Sequence, residues 1–138
     1  MWSILFGSAG ALATWIITES IAKPILRFFQ LRHDAVVALA LYEDQAWRFE
    51  DPDIEPPDAD WLRKRKELYD ATGAALVGFS RSHRFVARLL HNRILWKWRF
   101  YVFSAGSSLR TLGDAHPATG ASEALLRNVR SALKLDRR

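Results

Sequence analysis

No cysteine occurs among the 138 residues. This excludes a disulfide framework and thiolate chemistry, and it fits a reducing compartment. Charge is missing from one end of the chain: Trp2 to Thr18 carries none, and all 20 Lys/Arg and 15 Asp/Glu lie at Glu19 or later. Histidine is scarce, with only His33, His83, His91 and His116. None belongs to an H-x-x-x-H, H-E-x-x-H or E-x-x-H pair, the spacings that bring two ligands to one helix face. His83 reads as a satisfied core or boundary residue rather than a ligand.

Nucleophile and phosphate motifs are absent too. Gly78-Phe79-Ser80-Arg81-Ser82 lacks the second glycine of a nucleophile elbow. Ala105-Gly106-Ser107-Ser108 has no Walker lysine. Both serine clusters read as turn or cap residues. The acids concentrate in Glu50–Asp60, where interleaved prolines scatter carboxylates that acid–base catalysis would hold rigidly together. That segment also lacks EF-hand spacing. No catalytic, cofactor-binding or metal-binding residue stands out, and the expected protein is not an enzyme.

What is present begins with the uncharged stretch itself. About 17 residues rising 1.5 Å each cover roughly 25 Å, slightly less than the ~30 Å apolar core of a bilayer. Ser20, Ile21 and Ala22 extend it, and Glu19 and Lys23 have the reach to snorkel. Trp2 and Trp15 sit near its ends, where indoles favour the interface. Gly7, Ala11 and Thr14 share a face at the small-residue spacing that lets membrane helices pack closely. A signal peptide is the weaker reading, because no basic residue precedes Trp2 and Ala11-Leu12-Ala13 leaves too short an apolar region. A buried helix of a soluble protein is the plainer alternative. The expectation is an anchor over residues 1–23. Lys23, Arg27 and Arg32 follow it, so the positive-inside rule places the N-terminus outside and the remainder, 24–138, in the cytoplasm.

The remainder reads as all-α: an N-terminal transmembrane helix followed by a small antiparallel helical hairpin or bundle. Pro24 marks a bend or a helix start. From Ile25 to about Phe49, residues Phe28, Leu31, Ala35, Ala38 and Tyr42 recur at helical spacing, with Val36, Val37 and Leu41 widening the apolar face. An acidic, proline-rich loop spans residues 50–60, and Asp58 or Asp60 is placed to cap the next helix. That helix is expected from Ala59 to about His91, with a heptad seam of Leu62, Tyr69, Leu76, His83 and Leu90 filled in by Thr72, Phe79 and Val86. Gly73 and Gly78 allow close approach. Arg93–Phe103 alternates as a strand would, yet it interleaves cations with Trp and Tyr as an interfacial segment does. With no partner strand, it is read as helical. Gly113–Gly120 reads as a turn, and Ala121 to about Leu135 as a final helix with Leu125, Leu126, Val129 and Leu133 on its apolar face.

The net charge of +5 invites anionic partners. It is segregated: Glu50–Asp60 holds six acids and no base, while Trp61–Gly113 holds eleven bases against Glu67 and Asp70. Candidate lipid- or anion-binding residues are Arg63, Lys64, Arg65 and Lys66, the stripe Arg81, Arg84 and Arg88, and Trp96, Lys97, Trp98 and Arg99. For Arg63–Lys66 the plainest reading is a solvated helix start. Anionic lipid comes next, and membrane lipid is the nearer partner. Nucleic acid comes third, because no helix-turn-helix, zinc-finger or RNA-binding signature accompanies the bases.

Lys23-Pro24, Phe28-Phe29-Gln30-Leu31-Arg32, Ala38-Leu39-Ala40-Leu41-Tyr42 and the closing Val129–Leu135 form a layout that resembles small bacterial membrane-anchored helical proteins of unknown function. The likeness covers the anchor and first soluble helix best. It implies this architecture and a bacterial inner-membrane location, and it supplies no activity. Two functions follow as expectations. The first is a non-enzymatic single-pass scaffold or accessory subunit with a protein partner or a homo-oligomer. The second is a peripheral module that binds anionic lipid or nucleic acid through its basic, Trp-rich surface.

Overall fold

The computed structural model describes residues 2–46, 57–92, 99–117 and 119–135, with side chains in the first of these stretches from Ser8 to Glu43. The chain opens as one helical rod. Helix α1 covers Trp2–Ile17, α2 covers Lys23–Ala46, and Thr18–Ala22 between them is a π-helical turn. Ile17 and Lys23 both keep right-handed helical angles, and the Lys23 N–H donates to the Thr18 carbonyl five residues back. The cause lies at Pro24, which has no N–H for the Ser20 carbonyl and whose ring crowds it. One extra residue in the preceding turn relieves that crowding. The disturbance expected at Pro24 is therefore a widened turn upstream of it and not a break.

One face of α2 is buried through Phe28, Leu31, Ala35, Ala38 and Leu39, at the spacing its sequence announces. Val36, Val37 and Leu41, expected to widen that face, are exposed instead. Helix α3 runs Ala59–Ser82 and starts where the Asp58 carboxylate accepts the Trp61 N–H at 2.7 Å. It lies antiparallel to α2. Tyr42 meets Trp61 at one end (ring centroids 5.3 Å apart) and Phe28 meets Phe79 at the other (6.1 Å). The long helix expected over 59–91 is divided: His83, at φ −118° and ψ 52°, leaves helical geometry, and α4 resumes at Arg84–His91. Most of the seam survives the interruption: Tyr69, Thr72, Leu76 and Phe79 before it and Val86 and Leu90 after it are buried, while Leu62 and His83 are half-buried.

Helix α5, Val102–Asp114, is an element the sequence pattern did not announce. It packs against both α3 and α6, and Ala105, Leu109 and Leu112 on it are fully buried. Its crossing with α3 is set by two glycines. A Cβ on Gly73 would lie 2.7 Å from the Gly106 carbonyl oxygen, and one on Gly106 would lie 2.7 Å from that of Gly73. Of Arg93–Phe103, residues 93–98 lie outside the described residues, Arg99–Tyr101 is irregular, and Val102 and Phe103 open α5. Helix α6 covers Gly120–Leu133 and closes with Lys134 in the left-handed conformation at φ 54°. Arg32 of α2 grips this end, donating from Nε to Leu133 O (2.8 Å) and from Nη2 to Lys134 O (3.0 Å). A cation there also meets the negative end of the α6 dipole.

Every element is helical, and no strand occurs among the described residues. The all-α class thus holds. The anchor expected over residues 1–23 does not appear as one spanning helix: among the described residues no helix is long and apolar enough to cross a membrane. Helix α1 has 16 residues, a rise of about 24 Å against a core of about 30 Å. Beyond it the apolar run passes into the π turn with Thr18 and Glu19. Even so, residues 8–18 are all exposed, so the bundle covers none of this apolar surface.

Candidate functional site

The four consecutive bases on the first turns of α3 are each matched by a carboxylate. Arg63 pairs with Asp60 and Glu67, Lys64 with Asp60, and Lys66 with Asp70 and Asp114. The hydrogen bond from Lys64 holds the Asp60 carboxyl below its ordinary value and raises Lys64 in turn. The hydrogen bond to Asp114 raises Lys66 likewise. Four cations at a helix N-terminus oppose its dipole, and Asp58 and Asp60 at the same end offset this.

Arg65 is not a surface residue at all. Its side chain is 1 % exposed and that of its partner Glu43 6 %. Nη2 donates to Glu43 Oε1 at 2.9 Å, Nη1 donates to the Ala115 carbonyl at 2.9 Å, and the Tyr69 hydroxyl donates to the same Glu43 oxygen at 2.8 Å. The guanidinium also lies 4.9 Å from the Tyr69 ring centroid. Burial, seconded by the Glu43 charge, pushes the Tyr69 phenol well above its ordinary value. This cluster ties α2, α3 and the end of α5 together. It removes Arg65 from the surface expected to meet lipid.

The second basic group behaves differently. Arg81 lies in the last turn of α3, and Arg84 and Arg88 on α4; all three are exposed, and none has a carboxylate partner among the described residues. They border a groove of about 530 Å³ between α4 and the start of α5. Its floor is Ala87, Phe100 and Val102, and its far wall is Tyr101 and Phe103. Arg81 sits over the Phe103 ring at 5.9 Å, and His91 meets the Tyr101 ring edge-on at 4.7 Å. Among the described residues no acid lines the groove. Arg99 is exposed, and Trp96, Lys97 and Trp98 lie outside the described residues.

The groove has a defined place along the rod. Phe100, in its floor, packs on Phe28 at 5.1 Å and Phe29 at 6.2 Å. Phe28 follows the π turn by six residues, a rise of about 9 Å. Tyr42, beside the paired bases of α3, lies about 21 Å further along. Of the expected packing face on α1, Ala11 and Thr14 are exposed, the Thr14 hydroxyl donates to the Gly10 carbonyl at 2.9 Å, and Gly7 precedes the described side chains.

Other candidates resolve into structure. Ser80 lies within α3, its hydroxyl donating to Val77 O at 2.8 Å. Ser107 and Ser108 lie within α5, where the Ser108 hydroxyl accepts from Asn128 at 2.6 Å; these are helix residues and not turn residues. His83 stacks on Phe79 at 5.0 Å, but its Nδ1 is buried without a hydrogen-bond partner among the described residues. Among the described residues no group of three or more His, Asp or Glu is placed to hold a metal.

Glu43, Tyr101 and Phe103 were not singled out from sequence. Glu43 carried a signal, since it falls four residues after Leu39 on the buried face of α2. Tyr101 and Phe103 acquire their place only through α5. No protein family, no curated protein and no solved structure matches the chain.

Proposed function

We propose that this protein is a non-enzymatic accessory or scaffold subunit at a membrane. In this reading α1 enters the apolar core of a bilayer, and the bundle stays on the cytoplasmic face as the part that meets a protein partner or a second copy. One observation carries the reading. Among the described residues twelve large apolar side chains are exposed, and nine of them lie on the rod: Leu12, Trp15, Ile16 and Ile17 on α1, and Leu26, Phe29, Val36, Val37 and Leu41 on α2. Exposed apolar side chains concentrated on two consecutive helices in this way favour membrane or protein contact. The orientation follows Lys23 and Arg27, both exposed just beyond the π turn. Arg32 is engaged by α6 and does not count toward it. The resemblance to small bacterial membrane-anchored proteins favours the same arrangement.

The test is the mass of the full-length chain extracted in mild detergent. A stoichiometric assembly is expected, and Val37→Lys or Leu41→Lys should dissociate it while Glu123→Lys, on α6, does not. A monomer without partners under gentle extraction contradicts the accessory role.

A further inference from the structure

We propose that the groove between α4 and α5 binds an anionic phospholipid, with its phosphate held by Arg84 and Arg88 and the first methylenes of its acyl chains lying on Ala87, Phe100 and Val102. The inference rests on the reading that α1 enters a bilayer. Three observations converge on this occupant. Among the described residues the arginines beside the groove have no carboxylate partner and no acid lines the groove. Guanidinium forks suit a phosphate, which accepts two parallel hydrogen bonds. The floor is apolar, so a water-soluble anion would leave it uncovered. The groove also sits beside Phe28, about 9 Å along the rod from the π turn, which is where headgroups lie if α1 is in lipid.

The exposed aromatics agree with that placement. Among the described residues, the three large exposed apolar side chains that are not on the rod are Phe85, Tyr101 and Phe103. Tyr101 and Phe103 form the groove wall, and Phe85 follows Arg84 on α4. Aromatic rings beside arginine are the composition favoured at a membrane interface. The bases near Tyr42 are already paired with carboxylates and lie further along the rod.

Native mass spectrometry of the detergent-purified full chain tests the site, with phosphatidylglycerol and phosphatidylcholine offered in equal amounts. The wild type should retain phosphatidylglycerol preferentially. Arg84→Gln with Arg88→Gln should weaken that retention about thirtyfold, taking each arginine at its usual worth near an anionic surface, while Arg127→Gln on α6 keeps it. Glycerol phosphate, which has no acyl chain, should not displace the lipid. Equal retention by the double variant overturns the proposal, and so does displacement by glycerol phosphate. It is equally overturned if the double variant keeps its lipid but loses a bound acidic protein, which would make the groove a protein-docking site. Flotation of the same chain on phosphatidylcholine vesicles separates the two readings. Flotation without phosphatidylglycerol preference removes the groove site and leaves membrane attachment standing. Preference without flotation does the reverse.

Discussion

Arg65 Nη2 lies 2.9 Å from Glu43 Oε1, with both side chains almost wholly out of water. Removing one partner leaves an uncompensated buried charge, so Glu43→Leu should cost about 3–5 kcal/mol. The triple variant Glu43→Leu, Arg65→Met, Tyr69→Phe removes all three polar groups and should be more stable than Glu43→Leu alone. Urea unfolding of the three-way series measures this. A triple variant less stable than the single one would contradict the assignment of the penalty to the stranded guanidinium.

Tyr69 makes stability fall in alkali. Its phenol is raised above the ordinary value of 10.0 by burial first and by Glu43 second. The unfolded chain therefore ionises at that value while the folded chain does not. The contribution is fully present below about pH 10 and is lost as pH rises above it, with a slope of about 1.4 kcal/mol per pH unit from this one group. Tyr69→Phe should flatten the decline. Unfolding midpoints measured on both sides of pH 10 for the two proteins isolate the Tyr69 share from that of the lysines.

The glycines of α3 should respond in opposite senses. A Cβ on Gly73 meets Arg110 Cγ at 2.6 Å and the Gly106 carbonyl oxygen at 2.7 Å, and backbone cannot swing aside. Gly73→Ala should destabilise by about 1–3 kcal/mol. Gly78 meets nothing within 4 Å, so Gly78→Ala should stabilise by about 0.5–1 kcal/mol through helix propensity. Thermal unfolding of the two variants reads both signs.

These same residues show what the sequence made legible. The Asp58 cap, the buried stripe of α2 and most of the seam of α3 are local features, and they lie where the sequence put them; Leu62 and His83 are the half-buried exceptions. The seam was in fact more regular than its apolar members suggested. The step from Leu62 to Tyr69 passes through Arg65, which occupies the vacant inward position between them. A cation in the heptad looked like surface charge because its compensating Glu43 stands 22 residues earlier. Helix α5 was illegible for a related reason. Gly106, Ser107 and Ser108 favour turns when judged by local propensity. They form a helix here because Gly106 admits the backbone of Gly73 and Ser108 accepts from Asn128, partners that no local window contains. The candidate groove inherits this limit. Its arginine side was visible as a stripe of three- and four-residue steps, but its aromatic wall depends on where α5 begins.

The central question for this protein is whether the apolar first part of the rod is buried in lipid. The most direct measurement is extraction of membranes from cells making the full-length chain, comparing high-salt and carbonate washes with detergent. If α1 lies in the bilayer, detergent alone should release the protein. Release by salt or carbonate would contradict that placement, because a helix held in the apolar core of a bilayer has no electrostatic contact for either wash to break.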